Sequence, residues 1–200
     1  MAEKFDTAKW ERLENPDRLK ELPPDVVIEM LAVDGSEMVV DFGAGTGMYA
    51  IPIAEAMTTG TVVAVDELQE LLERLAGKLA QPGNAALRDR VWLVRPKRGH
   101  VPLHDGSAQR VLALNVLHHI SDDPIALAEI VRVLAPGCRL VVIDFCDIDR
   151  PVGPPRDHVL SHDELRAVIA GMGLREIAYH EPGELVVYHV IVVAEKPEKK

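Results

Sequence analysis

Cysteine and aromatic residues are scarce in this 200-residue chain, which has two Cys and 4% Phe, Trp and Tyr. Cys138 and Cys146 cannot build a disulfide framework, so the sequence predicts a reducing, cytoplasmic setting. Few aromatics leave no series of stacking platforms for bases or sugars. Positive charge is also in deficit: 22 Lys and Arg face 32 Asp and Glu, a formal net charge of -10. A phosphate backbone is repelled by such a balance unless one face gathers the basic residues, so no nucleic-acid partner is expected. Long apolar runs are missing as well. Residues 185–194 are strand-sized and carry Tyr188 and His189, far short of the roughly 20 residues of a membrane-spanning helix. Residues 1–10 hold Glu3, Lys4, Asp6 and Lys9 without a continuous apolar core, unlike a secretory signal.

What is present fits one globular unit with a full core, since 48% of residues are hydrophobic and 27% charged. Residues 1–36 read as an N-terminal helical cap in which Pro23-Pro24 force a break before Asp25 caps a helix toward Leu31. From residue 37 onward, short apolar runs alternate with longer amphipathic segments, the pattern of strand–helix repeats on a largely parallel sheet. The expected strands are 38–42, 61–65, 91–94, 111–114 and 140–145. The expected helices are 48–57, 68–79 and 124–134, the last closed by Pro136-Gly137. Further on, Ser161 with Glu164 forms a capping box and Met172-Gly173 ends the helix. Strands 174–179 and 184–194 then flank a short turn, and so short a link requires an antiparallel pair. The result is an α/β, Rossmann-like fold with a seven-stranded, mostly parallel sheet and an antiparallel C-terminal hairpin edge.

The stretch Val39-Val40-Asp41-Phe42-Gly43-Ala44-Gly45-Thr46-Gly47 passes from a buried strand into a helix, where glycines let the backbone approach a ligand. It is not a dinucleotide fingerprint, because that pattern needs glycine where Met48 stands. This disfavours a nicotinamide-dependent oxidoreductase. No G-K-[ST] closes the loop as a phosphate-binding loop would. Asp41 would repel a pyrophosphate and suits a ligand bearing an amino group or positive centre. Nineteen residues past Gly47, Asp66 ends the second strand, where a carboxylate can accept both hydroxyls of a ribose. The ligand read from these residues is a partly cationic ribonucleoside.

Through VVDFGAGTGMYAIPIAE, VVAVD and VPLHDGS…VLALNVLHHI, the chain resembles the class I S-adenosylmethionine-dependent methyltransferases, in particular the UbiE-like, type 11 group, over residues 37–193. The resemblance implies S-adenosylmethionine as cofactor, a seven-stranded sheet with an antiparallel edge, and transfer of a methyl group to a small molecule. It implies that Asp41 faces the methionyl amino end, that the backbone of Gly43, Ala44, Gly45 and Gly47 lies along the methionyl and ribose portion, and that Asp66 holds the ribose diol. It also sets Glu67, Leu114 and Asn115 beside the cofactor. One departure stands out: the family's usual acid for the adenine amino group falls at Lys97, within Arg95-Pro96-Lys97-Arg98, and a lysine cannot accept that hydrogen bond. Gln109 likewise replaces an acid common after D-G-S. A domain that binds S-adenosylmethionine or a nucleoside without turnover, as a regulatory module, is the alternative.

In open parallel sheets the substrate lies beyond the carboxyl ends of the strands, which selects Asn115 to His119 and the stretch from Asp144 to Asp147. His118 matches the family's histidine there and is the candidate catalytic residue, to position or deprotonate the acceptor. His119 reads as a helix cap or pocket wall. Arg88, Arg90, Arg95, Lys97 and Arg98 read as a solvated basic surface, and Cys138 and Cys146 as inert thiols. No compact ligand spacing supports a metal. Residues 147–159, with Pro151, Pro154 and Pro155, form a stiff loop on the substrate side, while His180 and His189 belong to the edge hairpin as structural residues. The expected assembly is a monomer or homodimer.

Overall fold

The computed structural model describes residues 7–151, 153–183 and 185–198. Residues 1–6 of the expected cap, 152 of the proline-rich loop, 184 at the start of the expected last strand, and 199–200 of the charged tail lie outside the described residues. Runs rich in β-branched residues form the strands β1 (Met38–Phe42), β2 (Thr61–Val65), β3 (Val91–Val94), β4 (Ala108–Leu114), β5 (Leu134–Phe145), β6 (Arg175–His180) and β7 (His189–Glu195). They join in one sheet of order β3-β2-β1-β4-β5-β7-β6. The first five are parallel, and β7 runs antiparallel between β5 and β6. This is the α/β architecture that the sequence pattern predicted.

Helices α1 (Asp17–Glu21), α2 (Pro24–Leu31), α3 (Ala50–Ala56), α4 (Gln69–Leu79), α5 (Leu117–Ile120), α6 (Pro124–Val133) and α7 (His162–Gly171) complete the fold. Because side chains alternate along a strand, the sheet feeds two cores. Val39, Leu112, Val141 and Ile191 pack with Val27, Leu31, Ile53 and Leu75 from α2, α3 and α4. Val40, Val111, Leu140 and Val192 pack with Ile130, Val133, Leu165 and Ile169 from α6 and α7. Each such fully buried aliphatic side chain contributes about 1.5–3 kcal/mol relative to exposure, so the sheet is a rigid base for whatever lies at its carboxyl edge.

Several boundaries differ from expectation for local reasons. Strand β4 begins at Ala108, three residues early, because its polar members have backbone partners. Gln109 Oε1 accepts from Met38 N at 2.9 Å, and the Arg110 guanidinium donates to the carbonyls of Leu31 and Ala32 at 2.7 and 2.9 Å. The Arg110 contacts satisfy the C-terminal end of α2. Helix α6 stops at Val133, and Leu134 pairs at once with Ala108, so Pro136-Gly137 lie in a bulge within β5 instead of closing the helix. Helix α3 starts at Ala50, after Gly47 at φ 80° has turned the chain. Helix α2 is entered through Pro23 and Pro24, with Asp25 in its first turn and no side-chain cap. The Ser161–Glu164 capping box forms as expected. The link between β6 and β7 spans residues 181–188, longer than the expected turn, and is bonded to the N-terminal segment through Val187 N to Glu21 O at 3.1 Å. The 3-10 segment Thr7–Glu14 lies against α4, where Arg74 sits 3.7 Å over the Trp10 ring and Lys78 pairs with Glu14 at 2.6 Å. Among the described residues, no helix is long and apolar enough to cross a membrane.

Candidate functional site

Strand β1 carries Asp41 to the carboxyl edge and hands the chain to the glycine loop. Gly43, Gly45 and Gly47 all have positive φ, at 84°, 56° and 80°. A Cβ on Gly43 would stand 2.1 Å from Val116 Cγ2, and one on Gly47 2.3 Å from Leu75 Cδ1, so those two glycines are required by close packing. At Gly45 a Cβ would meet only Leu13 Cδ1, at 3.6 Å. The loop is pinned from behind: Gly43 N and Ala44 N donate to Val65 O at 2.8 and 3.0 Å.

Asp66, at the end of β2, reaches across to this loop. Its Oδ2 accepts from Gly45 N and its Oδ1 from Leu68 N, both at 2.8 Å. A carboxylate offers about four acceptor sites, so two remain for a ligand. Burial raises the Asp66 pKa against the lowering effect of these two N–H donors. Asp41 is 3% exposed; burial, with Asp66 adding to it, pushes its carboxyl up to about 7. A cation placed here would restore the charged form. Two further groups line this region with no hydrogen-bond partner among the described residues, the buried Thr46 Oγ1 and both polar side-chain atoms of Asn115. Asn115 itself is left-handed at φ 54° with its N–H on Ile143 O at 2.7 Å. Glu67 is exposed, and its carbonyl takes the Arg95 guanidinium at 3.1 Å, while Leu114 is buried at the end of β4.

The slot after β3 keeps its departure from the family pattern. Lys97 and His100 close a tight turn through paired backbone bonds of 2.9 and 3.0 Å, with Arg98 and Gly99 at positive φ. Lys97 is exposed and no acid occupies its place. A carboxylate that the sequence reading missed shapes this loop from below. Glu129, 2% exposed on α6, accepts from Val101 N at 2.6 Å and pairs with Arg132, whose guanidinium also holds Leu103 O, Val101 O and Asp105. The Arg132 hydrogen bond holds the Glu129 carboxyl down near 2. An acid set beside Ile130 on an apolar helix face was the available signal. The basic stretch is likewise not merely solvated: Arg88 donates to Leu79 O and Ala80 O at the end of α4, and Arg90 to Met57 O.

At the other end of the edge, His118 lies buried in α5. Its Nδ1 stands 2.6 Å from Asp144 Oδ1, and its N–H donates to Asp144 Oδ2 at 3.0 Å. Phe145 N donates to the same carboxylate at 2.8 Å. A carboxylate only accepts, so Nδ1 is the nitrogen that carries a proton toward Asp144. His119 is exposed, its ring 4.0 Å from that of His118, and burial together with His118 lowers its pKa. Neither histidine caps a helix; Asp123 does that for α6. Cys146 is buried with its thiol on Tyr188 O at 3.1 Å, and burial raises its pKa. The proline-rich loop is tied inward by Arg150, which donates to Cys146 O and Ile148 O and lies over Phe145. Among the described residues, no cluster of three or more His, Cys, Asp or Glu is arranged to hold a metal.

The methyltransferase-domain family model matches residues 40–142, slightly more than half of the chain. The chain belongs to the class I S-adenosylmethionine-dependent methyltransferases of UbiE-like type. A demethylmenaquinone methyltransferase of Lactiplantibacillus plantarum is 36% identical over 118 residues, covering 58% of this chain and 48% of the relative. A 27-O-demethylrifamycin SV methyltransferase of Amycolatopsis mediterranei is 29% identical over 159 residues, covering 78% and 56%. The chain thus spans about half the length of the curated relatives it matches. The crystal structure of a SAM-dependent methyltransferase from Aquifex aeolicus superposes with a TM-score of 0.84 at 27% identity, covering 96% of this chain and 98% of that one. The family's cofactor is S-adenosylmethionine, and the residues present fit it. They supply a buried carboxylate for a cationic end, a second carboxylate with spare acceptor sites, an open approach at Gly45, and orphaned polar atoms on Thr46 and Asn115.

Proposed function

We propose that this protein transfers the methyl group of S-adenosylmethionine to a small-molecule acceptor. The observation that carries the reading is the adjacency, along one sheet edge, of an incompletely hydrogen-bonded cradle and a buried His–Asp pair. In this reading Asp41 takes the methionyl amino group, the backbone of Gly43, Ala44, Gly45 and Gly47 lies along the methionyl and ribose portion, and Asp66 accepts from the ribose hydroxyls. Glu67, Leu114 and Asn115 flank the nucleoside. With no acid at Lys97, a backbone carbonyl of loop 95–100 takes the adenine amino group. The described part of the segment ahead of residue 37, residues 7–36, acts as a cap over the cofactor, which the approach of Leu13 to Gly45 supports.

When bound, the cofactor supplies an electrophilic methyl group on a sulfonium. The chain's work is to align an acceptor in line with that methyl and exclude water, which accounts for much of the rate. His118 acts as base: Asp144 fixes its tautomer and orientation, and Nε2 accepts the proton that the acceptor gives up. This favours acceptors that must lose a proton, a hydroxyl or an activated ring carbon. A reducing cytoplasmic setting is supported by the two free cysteines, and a monomer or homodimer needs no partner residue in the site. The test is calorimetric titration with S-adenosylmethionine and S-adenosylhomocysteine, followed by methyl release across a panel of hydroxyl, amine and thiol acceptors. Binding plus turnover on hydroxyl acceptors is the expected result; binding without turnover on any acceptor overturns the enzymatic reading.

A further inference from the structure

The sheet ends in two edge strands, β3 and β6, and their edges differ. Strand β6 is interrupted by a register shift between Glu176 and Ala178, and its charges are closed in pairs, Arg175 with Glu195 and Glu176 with Arg166. A bulge and local charges are usual means of keeping an edge from accepting a further strand. Strand β3 has no bulge: it pairs with β2 in unbroken register from Val91 to Val94. Val62 N donates to Arg90 O and Asp66 N to Val94 O. By alternation Arg90, Trp92 and Val94 turn their backbone groups toward β2, and Val91 and Leu93 turn theirs outward. Among the described residues, no bond beyond the β2 ladder reaches the N–H or C=O of Val91 or Leu93.

What surrounds those outward groups selects the occupant. Trp92, within the strand, is 46% exposed, with its indole N–H on Asp89 O at 3.3 Å. A solvent-facing tryptophan on an open edge offers apolar area to a chain laid alongside. Over residues 88–98, Arg88, Arg90, Arg95, Lys97 and Arg98 stand against Asp89 alone, in a chain of net charge -10. Arg88, Arg90 and Arg95 each hold backbone carbonyls, which leave their charge unneutralised. Lys97 and Arg98 are exposed, and none of these five cations forms an ion pair among the described residues. Like charge disfavours a second copy at this edge. An extended protein segment with Asp or Glu at alternate positions meets both the amide row and the cations.

We infer that β3 is an interaction edge, which takes an acidic extended segment of another protein as an added strand. This holds whether or not the methyl-transfer reading does. The test uses the full chain and three short peptides of one length: alternating valine and glutamate, alternating valine and lysine, and the glutamate peptide with every amide N-methylated. In 15N NMR at low salt, the glutamate peptide is expected to shift the Val91 and Leu93 amide signals and to slow their hydrogen exchange about tenfold, leaving Ile177 on β6 unmoved. The lysine and N-methylated peptides are expected to do neither. Leu93→Pro, which deletes one outward N–H, is expected to abolish the response. Lys97→Glu combined with Arg98→Glu, on the exposed turn, is expected to weaken the glutamate peptide about tenfold and to admit the lysine peptide. Val91 and Leu93 amides that the glutamate peptide does not move, or that answer equally to either control peptide, overturn the proposal. So does a dimer of the protein alone that protects these amides, or a single-stranded oligonucleotide that displaces the peptide from them.

Discussion

The two ends of the carboxyl edge are built on different principles. At the β1–β2 end, the glycine loop and Asp66 lie within one strand–helix–strand unit, and the loop's N–H groups are bonded to Val65 and Asp66 before any ligand arrives. At the β4–β5–β7 end, His118 pairs with Asp144 and Phe145 stacks on His189, groups from three separate strands or their sequels that the sheet register brings together. A locally wired site is set by short-range sequence; a register-wired site depends on the whole sheet. Substitutions at the first end should therefore act on loop shape and cofactor affinity, and those at the second on turnover.

The sharpest way to break this division is Gly43→Val. Positive φ and the approach to Val116 combine there, and urea unfolding should show a loss on the order of 4 kcal/mol. Gly45→Val, with only Leu13 nearby, should stay folded and lose cofactor affinity instead, so equal unfolding midpoints for the two variants would contradict the packing described. Next in size, His118→Ala should lower kcat about 100-fold with S-adenosylhomocysteine affinity unchanged, and Asp144→Asn should do nearly as much by spoiling the tautomer. Full turnover in His118→Ala removes the histidine as base. Asp66→Ala should weaken cofactor binding by about 1–3 kcal/mol in calorimetry, since both the loop pin and the ribose acceptor are lost; retained affinity assigns the ribose elsewhere.

Asp41 provides a pH test. Its carboxyl titrates near 7 in the ligand-free fold against 3.8 ordinarily. Between those values the unfolded chain has released a proton that the native chain keeps, so this group's contribution to stability is complete below 3.8, falls as pH rises, and is gone above about 7. The stability gap between Asp41→Asn and the parent protein should widen from pH 4.5 to 7, by at most about 1.4 kcal/mol per pH unit; a flat gap would falsify the buried-acid account. The smallest effect is expected for Trp10→Ala, which forfeits the Arg74 contact and should cost about 0.5–1 kcal/mol in thermal unfolding.

Legibility in the sequence followed the same division. Asp41, the three glycines and Asp66 could be read because their spacing alone carries them to one place. The strands were legible where β-branched runs marked them, and β4 was read short because Gln109 and Arg110 are polar residues satisfied by distant backbone. His118 was found by its motif, but its pairing with Asp144 lies 26 residues away and follows from the β4–β5 register. Glu129 was missed for a related reason: its place beside Ile130 on an apolar helix face was a signal that it is buried, but the loop it holds, from Val101 to Asp105, is brought to it only by the packing. His189 was read as a residue of the hairpin, and it opens β7 there, but nothing local reveals that β7 lies inside the sheet.

That interior position of β7 has a consequence for how the molecule is made. The last strand in chain order is inserted beside β5, so a nascent chain leaving the ribosome exposes an open β5 edge, with its amides unpaired, until residues near 195 emerge. The cradle for the nucleoside can be finished while the chamber for its reaction partner is still a bare ledge, and that interval is when a chaperone has most reason to hold the chain.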